Sequence, residues 1–251
     1  MINDTAPAIL ITIPLSHYCE KARWGLDRVA LPYREEPHAP LLSRLATKRS
    51  ERGTVPVLVQ GDRRFNDSTD ILKFADEACG GDLLYPRDLK LRADVDALVT
   101  WFDAELGPHS RRWAYGTLLS DAKLLRWVWS RRVPRLEAIL VPVIAPLARR
   151  LVGRVYRITP ASVESSLARI RGVFQKVGER LSDGRRFLVG ERFSAADLTF
   201  AALAAPVLFP AECRAVHPSF AAVPTAMQEE IFHFRETVAG QFALRLYSEE
   251  R

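Results

Sequence analysis

Two kinds of hydrophobic pattern divide the chain. Up to Gly81, short apolar runs alternate with helical periodicity, and beyond it helical periodicity continues alone. The run Ala8-Ile9-Leu10-Ile11-Thr12-Ile13 is short and rich in β-branched residues, and it predicts a buried strand. The stretch Pro14–Trp24 leads into a helix, in which Cys19, Ala22, Leu26, Val29 and Ala30 share one face. Glu20, Lys21, Asp27 and Arg28 lie elsewhere. Pro32–Glu36 is a second short strand, and the basic stretch Pro40–Arg52 a loop with a short helix. Thr54–Val59 is a strand with a proline near its start, where a missing N–H is tolerated. Gly61-Asp62 signals a hairpin turn and Arg63–Asn66 the returning strand. Asp67-Ser68-Thr69-Asp70 opens a helix with Ile71, Leu72, Ala75 and Ala78 inward, stopped by Gly80-Gly81.

Past that point Leu91–Leu106 is helical, with Val95, Leu98, Phe102 and Leu106 near one face. Pro160 stands at a first helical position behind Thr159, and Val163, Leu167, Ile170, Phe174, Val177 and Leu181 recur at helical spacing. Phe193-Ser194-Ala195-Ala196-Asp197-Leu198 carries the signature of a capping box, with Phe193 stapling onto Leu198.

Composition narrows the class. At 251 residues and 48% apolar content the chain is long enough for one or two domains with a large core. Cys19, Cys79 and Cys213 are scattered and include no C-x-x-C, which suits a reducing compartment rather than a disulfide scaffold. No basic residue precedes the first apolar run, so no secretory signal is expected and a cytoplasmic protein is. The five histidines form no metal-ligand pattern, and there is neither a G-x-S-x-G nor a phosphate-binding glycine loop.

The net charge of +6 is unevenly placed. Arg111–Arg157 holds eleven basic residues against Asp121 and Glu137. The same segment carries Trp113, Tyr115, Trp127 and Trp129 and the apolar stretch Leu136–Leu147. It matches no nucleic-acid module. Its apolar residues make no single clean stripe, and Pro142 and Pro146 should break or kink a helix. The expectation is therefore packing against other helices with arginines in solvent, with neither nucleic acid nor a membrane as partner.

Ser16 sits on the turn between the first strand and the first helix, either as a plain N-cap or beside a bound anion or thiolate. Three motifs decide what that turn resembles. Ser16-His17-Tyr18-Cys19, Val55-Pro56 and Asp67-Ser68 stand, in register, where cytosolic glutathione S-transferases carry their active-site turn, their cis-proline and their acidic-Ser pair. The chain thus resembles that family in all but its basic middle. The resemblance implies an α/β thioredoxin-like N-terminal domain over 1–82 and an all-α domain over 88–251, with an insertion at about 109–158. It implies a homodimer and glutathione as co-substrate, without a metal.

The same resemblance gives roles to the motifs. Ser16 would hold the glutathione thiolate, Val55 before cis-Pro56 the peptide backbone, and Asp67 and Ser68 the γ-glutamyl end. For the glycine carboxylate, Thr54 replaces the family's frequent lysine, leaving Lys48, Arg49, Arg52 or His38. Trp113 and Tyr115 are placed, from position alone, at the acceptor pocket. A serine at 16 cannot form a mixed disulfide, so conjugation to a small electrophile is favoured over thiol exchange. Two alternatives stay open: a non-catalytic glutathione-binding or interaction protein of this fold, and an exchange enzyme that depends on Cys19.

Overall fold

A computed structural model describes residues 7–47 and 53–251. Its first half is a four-stranded mixed sheet of order β2-β1-β3-β4 with helices packed against it. β1 (Ala8–Thr12) lies inside the sheet, because its apolar side chains can be covered on both faces: Ala8, Leu10 and Ile11 are all buried. It pairs in parallel with β2 (Tyr33–Pro37), which returns after the crossover helix α1 (His17–Arg28). The four-residue α2 (Ser43–Ala46) precedes β3 (Val57–Gln60), which runs antiparallel to β1 with Ile11 opposite Val57. β3 turns into β4 (Arg63–Phe65) through Gly61, whose φ of 56° suits a residue without a Cβ. Asp67 then caps α3 (Ser68–Ala78) by accepting from Thr69 N–H at 2.8 Å. The predicted order of elements is the observed one, although β3 begins at Val57 rather than Thr54.

The helical half begins with α4 (Leu89–Glu105), capped by Asp88, and α5 (Gly107–Leu118). Next come α6 (Ala122–Trp129) and α7 (Arg135–Val155). α8 (Pro160–Arg180) starts on a Thr159/Ser162 capping box. α9 (Ala195–Leu208) is followed by α10 (Thr225–Glu236) and α11 (Val238–Glu250). Every residue of α9 except Pro206 is buried, as a helix apolar all round must be. Its N-terminus is held as the sequence predicts. Asp197 accepts from Ser194 N–H at 2.9 Å, from the Ser194 hydroxyl at 2.8 Å and from Leu188 N–H at 2.7 Å.

The burial of charges on α1 goes beyond what the sequence pattern implied, and the expectation for Leu136–Leu147 needs correction. Asp27 and Arg28 of α1 are exposed, but Glu20 and Lys21 are 0% exposed and Arg23 is 2% exposed. The helical half covers that face, and each charge finds a partner. Arg23 pairs with Glu35 at 2.7 Å, Arg251 with Glu20 at 2.8 Å, and Lys21 with Asp103 at 2.8 Å.

The correction concerns Leu136–Leu147, expected to be irregular. α7 runs unbroken through Pro142 and Pro146 for 21 residues. Both prolines lie on its exposed side. On the opposite side Val141, Ala145, Ala148 and Val152 recur at helical spacing and are buried with Tyr115, Leu125 and Trp129 in a second, smaller core. Burying that stripe sustains the helix past two missing N–H donors, each a cost of roughly 3 kcal/mol.

Candidate functional site

The turn between β1 and α1 is fixed from both ends. Ser16 N–H donates to Ile13 O at 2.9 Å, and Ser16 Oγ accepts from Cys19 N–H at 3.3 Å, making Ser16 the N-cap of α1. Accepting in this way uses a lone pair and leaves the hydroxyl with a proton to donate. The positive end of α1 opens at the same place.

The first turn of α1 is bolted to the helical half. His17 Nε2 contacts Gly107 O at 2.9 Å, Tyr18 Oη donates to Asp103 O at 3.1 Å, and Lys21 Nζ reaches both Asp103 carboxylate oxygens. Burial first, then Arg111, pushes the His17 pKa down to about 3, so the ring is neutral and its Nε2 donates to Gly107. Thr69 of α3 completes the knot: Lys21 donates to its hydroxyl, which donates in turn to Asp103. At Gly107 a Cβ would stand 2.1 Å from Tyr18 Oη, so only glycine allows this approach.

Ser16 and Val55 line one cleft of about 210 Å³, and the Val55–Pro56 bond beside it is cis. α7 and its cap supply the far wall through Leu151, Val155 and Tyr156. Asp67 and Ser68, at the N-terminus of α3, are not among the lining residues, although Asp67 is close enough to raise the Tyr18 pKa. Burial is the larger cause of that rise, and Arg111 opposes it.

Among the described residues, two cations reach the cleft that the sequence did not single out, Arg44 of α2 and Arg111 of α5. The Arg111 guanidinium lies 4.2 Å from the centre of the Tyr156 ring, and its buried Nε has no hydrogen-bond partner among the described residues. No local pattern marks such a residue, since it meets Ser16 only through the packing of α5 on α1.

Other predicted residues lie elsewhere. Cys19 is fully buried and does not line the cleft. Burial raises its thiol pKa, with Arg23 and the Ser16 hydroxyl pulling against that without cancelling it. His38 also lies away from the cleft: its Nδ1 meets Glu137 Oε1 at 2.6 Å, and Glu137 Oε2 accepts from Ala39 N–H. Lys48, Arg49 and Arg52 fall outside the described residues. Of the two aromatic residues placed at the acceptor pocket, Tyr115 does line the cleft. Trp113 does not; it lines a separate pocket with Gly116 and Val163.

A second, mostly apolar cavity of about 60 Å³ shares Leu15, His17, Arg111 and Tyr115 with the cleft and continues to Phe209 and Met227. The arrangement is a slot bordered by a helix N-terminus, a hydroxyl and two guanidiniums, joined to an apolar recess. Such a slot can hold an anionic, extended molecule and favour a thiolate over a thiol.

Comparison with known proteins agrees with this fold. Residues 10–82 match the glutathione S-transferase N-terminal domain, and residues 133–228 match the glutathione S-transferase C-terminal domain. No curated protein matches the chain in sequence. Among solved structures, poplar glutathione transferase F1 is 17% identical, covering 97% of this chain and 99% of its own, with a TM-score of 0.59. A glutathione S-transferase-I bound with lactoylglutathione is 18% identical, with coverage of 96% and 100% and a TM-score of 0.60. A β-etherase from Sphingobium sp. strain SYK-6 is 17% identical, with coverage of 96% and 99% and a TM-score of 0.61.

Proposed function

The chain belongs to the glutathione S-transferase family, and we propose that it activates the glutathione thiol for attack on a small electrophile. The observation that carries this reading is the cleft itself, where Ser16, as N-cap of α1, and Val55 border one space. A free thiol has a pKa of about 8.5 and is mostly protonated at neutral pH. A hydrogen bond to the charged form is worth ~1.5–3 kcal/mol, and the end of α1 adds to it. Together these move the ionisation down by roughly 1–2 units.

In this reading residues 1–82 bind glutathione, and the helical part over 88–251 supplies most of the acceptor side. Glutathione carries two carboxylates. The N-terminus of α3 at Asp67 and Ser68 suits the γ-glutamyl end, and Arg44 is the described cation nearest in role to the missing lysine for the glycine end. Arg111 keeps the cleft electropositive. The apolar recess beyond Tyr115 suits the body of the electrophile. A neutral, buried Cys19 does not support thiol exchange.

The family's habit of pairing suggests a homodimer. Light scattering at working concentration should return twice the monomer mass, and a monomer would remove that assignment. The activity is tested by steady-state conjugation across a panel of electrophiles, with Ser16→Ala alongside. Turnover that falls in the variant supports the proposal. Glutathione binding without turnover on any acceptor would favour a non-catalytic binding protein of the same fold.

A further inference from the structure

The outer face of α7 plays no part in the proposed reaction. Leu136, Ile139, Leu140, Val143 and Leu147 fall within about 100° of the helix surface. All are exposed, Leu136 at 77%, Val143 at 76% and Leu147 at 67%. The inward stripe of Val141, Ala145, Ala148 and Val152 lies on the opposite side, so packing does not require the outer one. Monomer surfaces rarely carry such a contiguous apolar stripe without a use for it.

Followed toward the C-terminus, the stripe meets Arg150 and Arg154, both exposed. Arg131, Arg135, Arg149 and Arg157 are exposed in the same α6–α7 segment, and among the described residues none of these six has an acidic partner. The segment's two acids do local work instead. Asp121 caps α6 through Lys123 and Leu124 N–H, and Glu137 is occupied by His38 and Ala39. An apolar stripe is thus surrounded by uncompensated positive charge.

We propose that this face docks on the surface of an anionic phospholipid bilayer. Leu136, Ile139, Val143 and Leu147 enter the boundary between headgroups and acyl chains, and Arg150 and Arg154 reach the lipid phosphates. Charge selects this occupant. A second copy seated on the same face would oppose like charges, and a nucleic acid would leave five apolar side chains against a polar surface. No helix of the described residues is long and apolar enough to cross a membrane, so α7 lies on the surface and does not span it. The expectation of no membrane contact rested on a broken, irregular stretch, and the continuous helix removes that reason.

The test is co-sedimentation of the full chain with vesicles of phosphatidylcholine alone and of equal parts phosphatidylcholine and phosphatidylglycerol. Binding is expected only to the anionic vesicles and should be reversed by high salt. Arg150→Gln with Arg154→Gln should weaken it ~30-fold, about fivefold for each arginine. Leu136→Gln, Val143→Gln and Leu147→Gln combined should abolish it at any salt. An unchanged thermal midpoint shows that each variant is folded. The proposal is overturned if the wild type does not pellet, or if the triple variant binds as well as the wild type. It is also overturned if the wild type self-associates through this face, shown by dispersal in the triple variant, and ignores vesicles.

Discussion

At Ser16 one side chain serves the fold and the proposed chemistry at once. Its oxygen caps α1 while its proton is left to donate, so Ser16→Ala should have two separable effects. Loss of the cap should cost about 1 kcal/mol in denaturant unfolding. Loss of the donor should lower conjugation by ~10–100-fold, the factor that ~1.5–3 kcal/mol corresponds to. Cys19→Ala should cost about 1 kcal/mol of stability and spare the rate, because the buried thiol is held neutral. If Cys19→Ala abolished activity and Ser16→Ala did not, a thiol-exchange mechanism would replace the one proposed. Asp197 gives a pH signature. Burial pushes its pKa up to about 6 from the usual 3.8, so the folded state holds that proton more tightly than the unfolded chain does. Its contribution is fully present below about pH 4 and is lost as pH rises through about 6. In urea titrations, the stability of the wild type minus that of Asp197→Asn should therefore fall across this window, and a flat difference would contradict the assignment.

Among the elements, α1 and α4 show what sequence patterns do and do not reveal. The strand-turn-helix around Ser16 was legible, because a cap, a β-branched run and a helical face are all local signals. The burial of Lys21 was not, because nothing in α1 announces that Asp103 will arrive from α4 to neutralise it. Asp103→Ala leaves a buried ammonium without its charge partner and should cost about 3 kcal/mol in urea unfolding. Replacing both residues, Lys21→Met with Asp103→Leu, should recover most of that loss. α7 was misread for a physical reason of another kind. Local proline rules weigh the backbone of one helix by itself, whereas this helix is sustained by a buried stripe on the side away from Pro142 and Pro146. The same blindness to distant packing hid Arg44 and Arg111, which reach the cleft from α2 and α5.

For the whole molecule, the sequence showed the architecture and the uneven charge but not how the two meet. The α6–α7 segment folds over α5 and closes one wall of the Ser16 cleft, so the most basic part of the chain borders the proposed catalytic space. The central claim is that this space ionises the glutathione thiol. Ultraviolet titration of the thiolate, on protein saturated with glutathione, tests it most directly. Half-ionisation should come roughly 1–2 units below the value of about 8.5 for a free thiol and return toward that value in Ser16→Ala. A bound thiol that ionises like a free one, in wild type and variant alike, would contradict the claim.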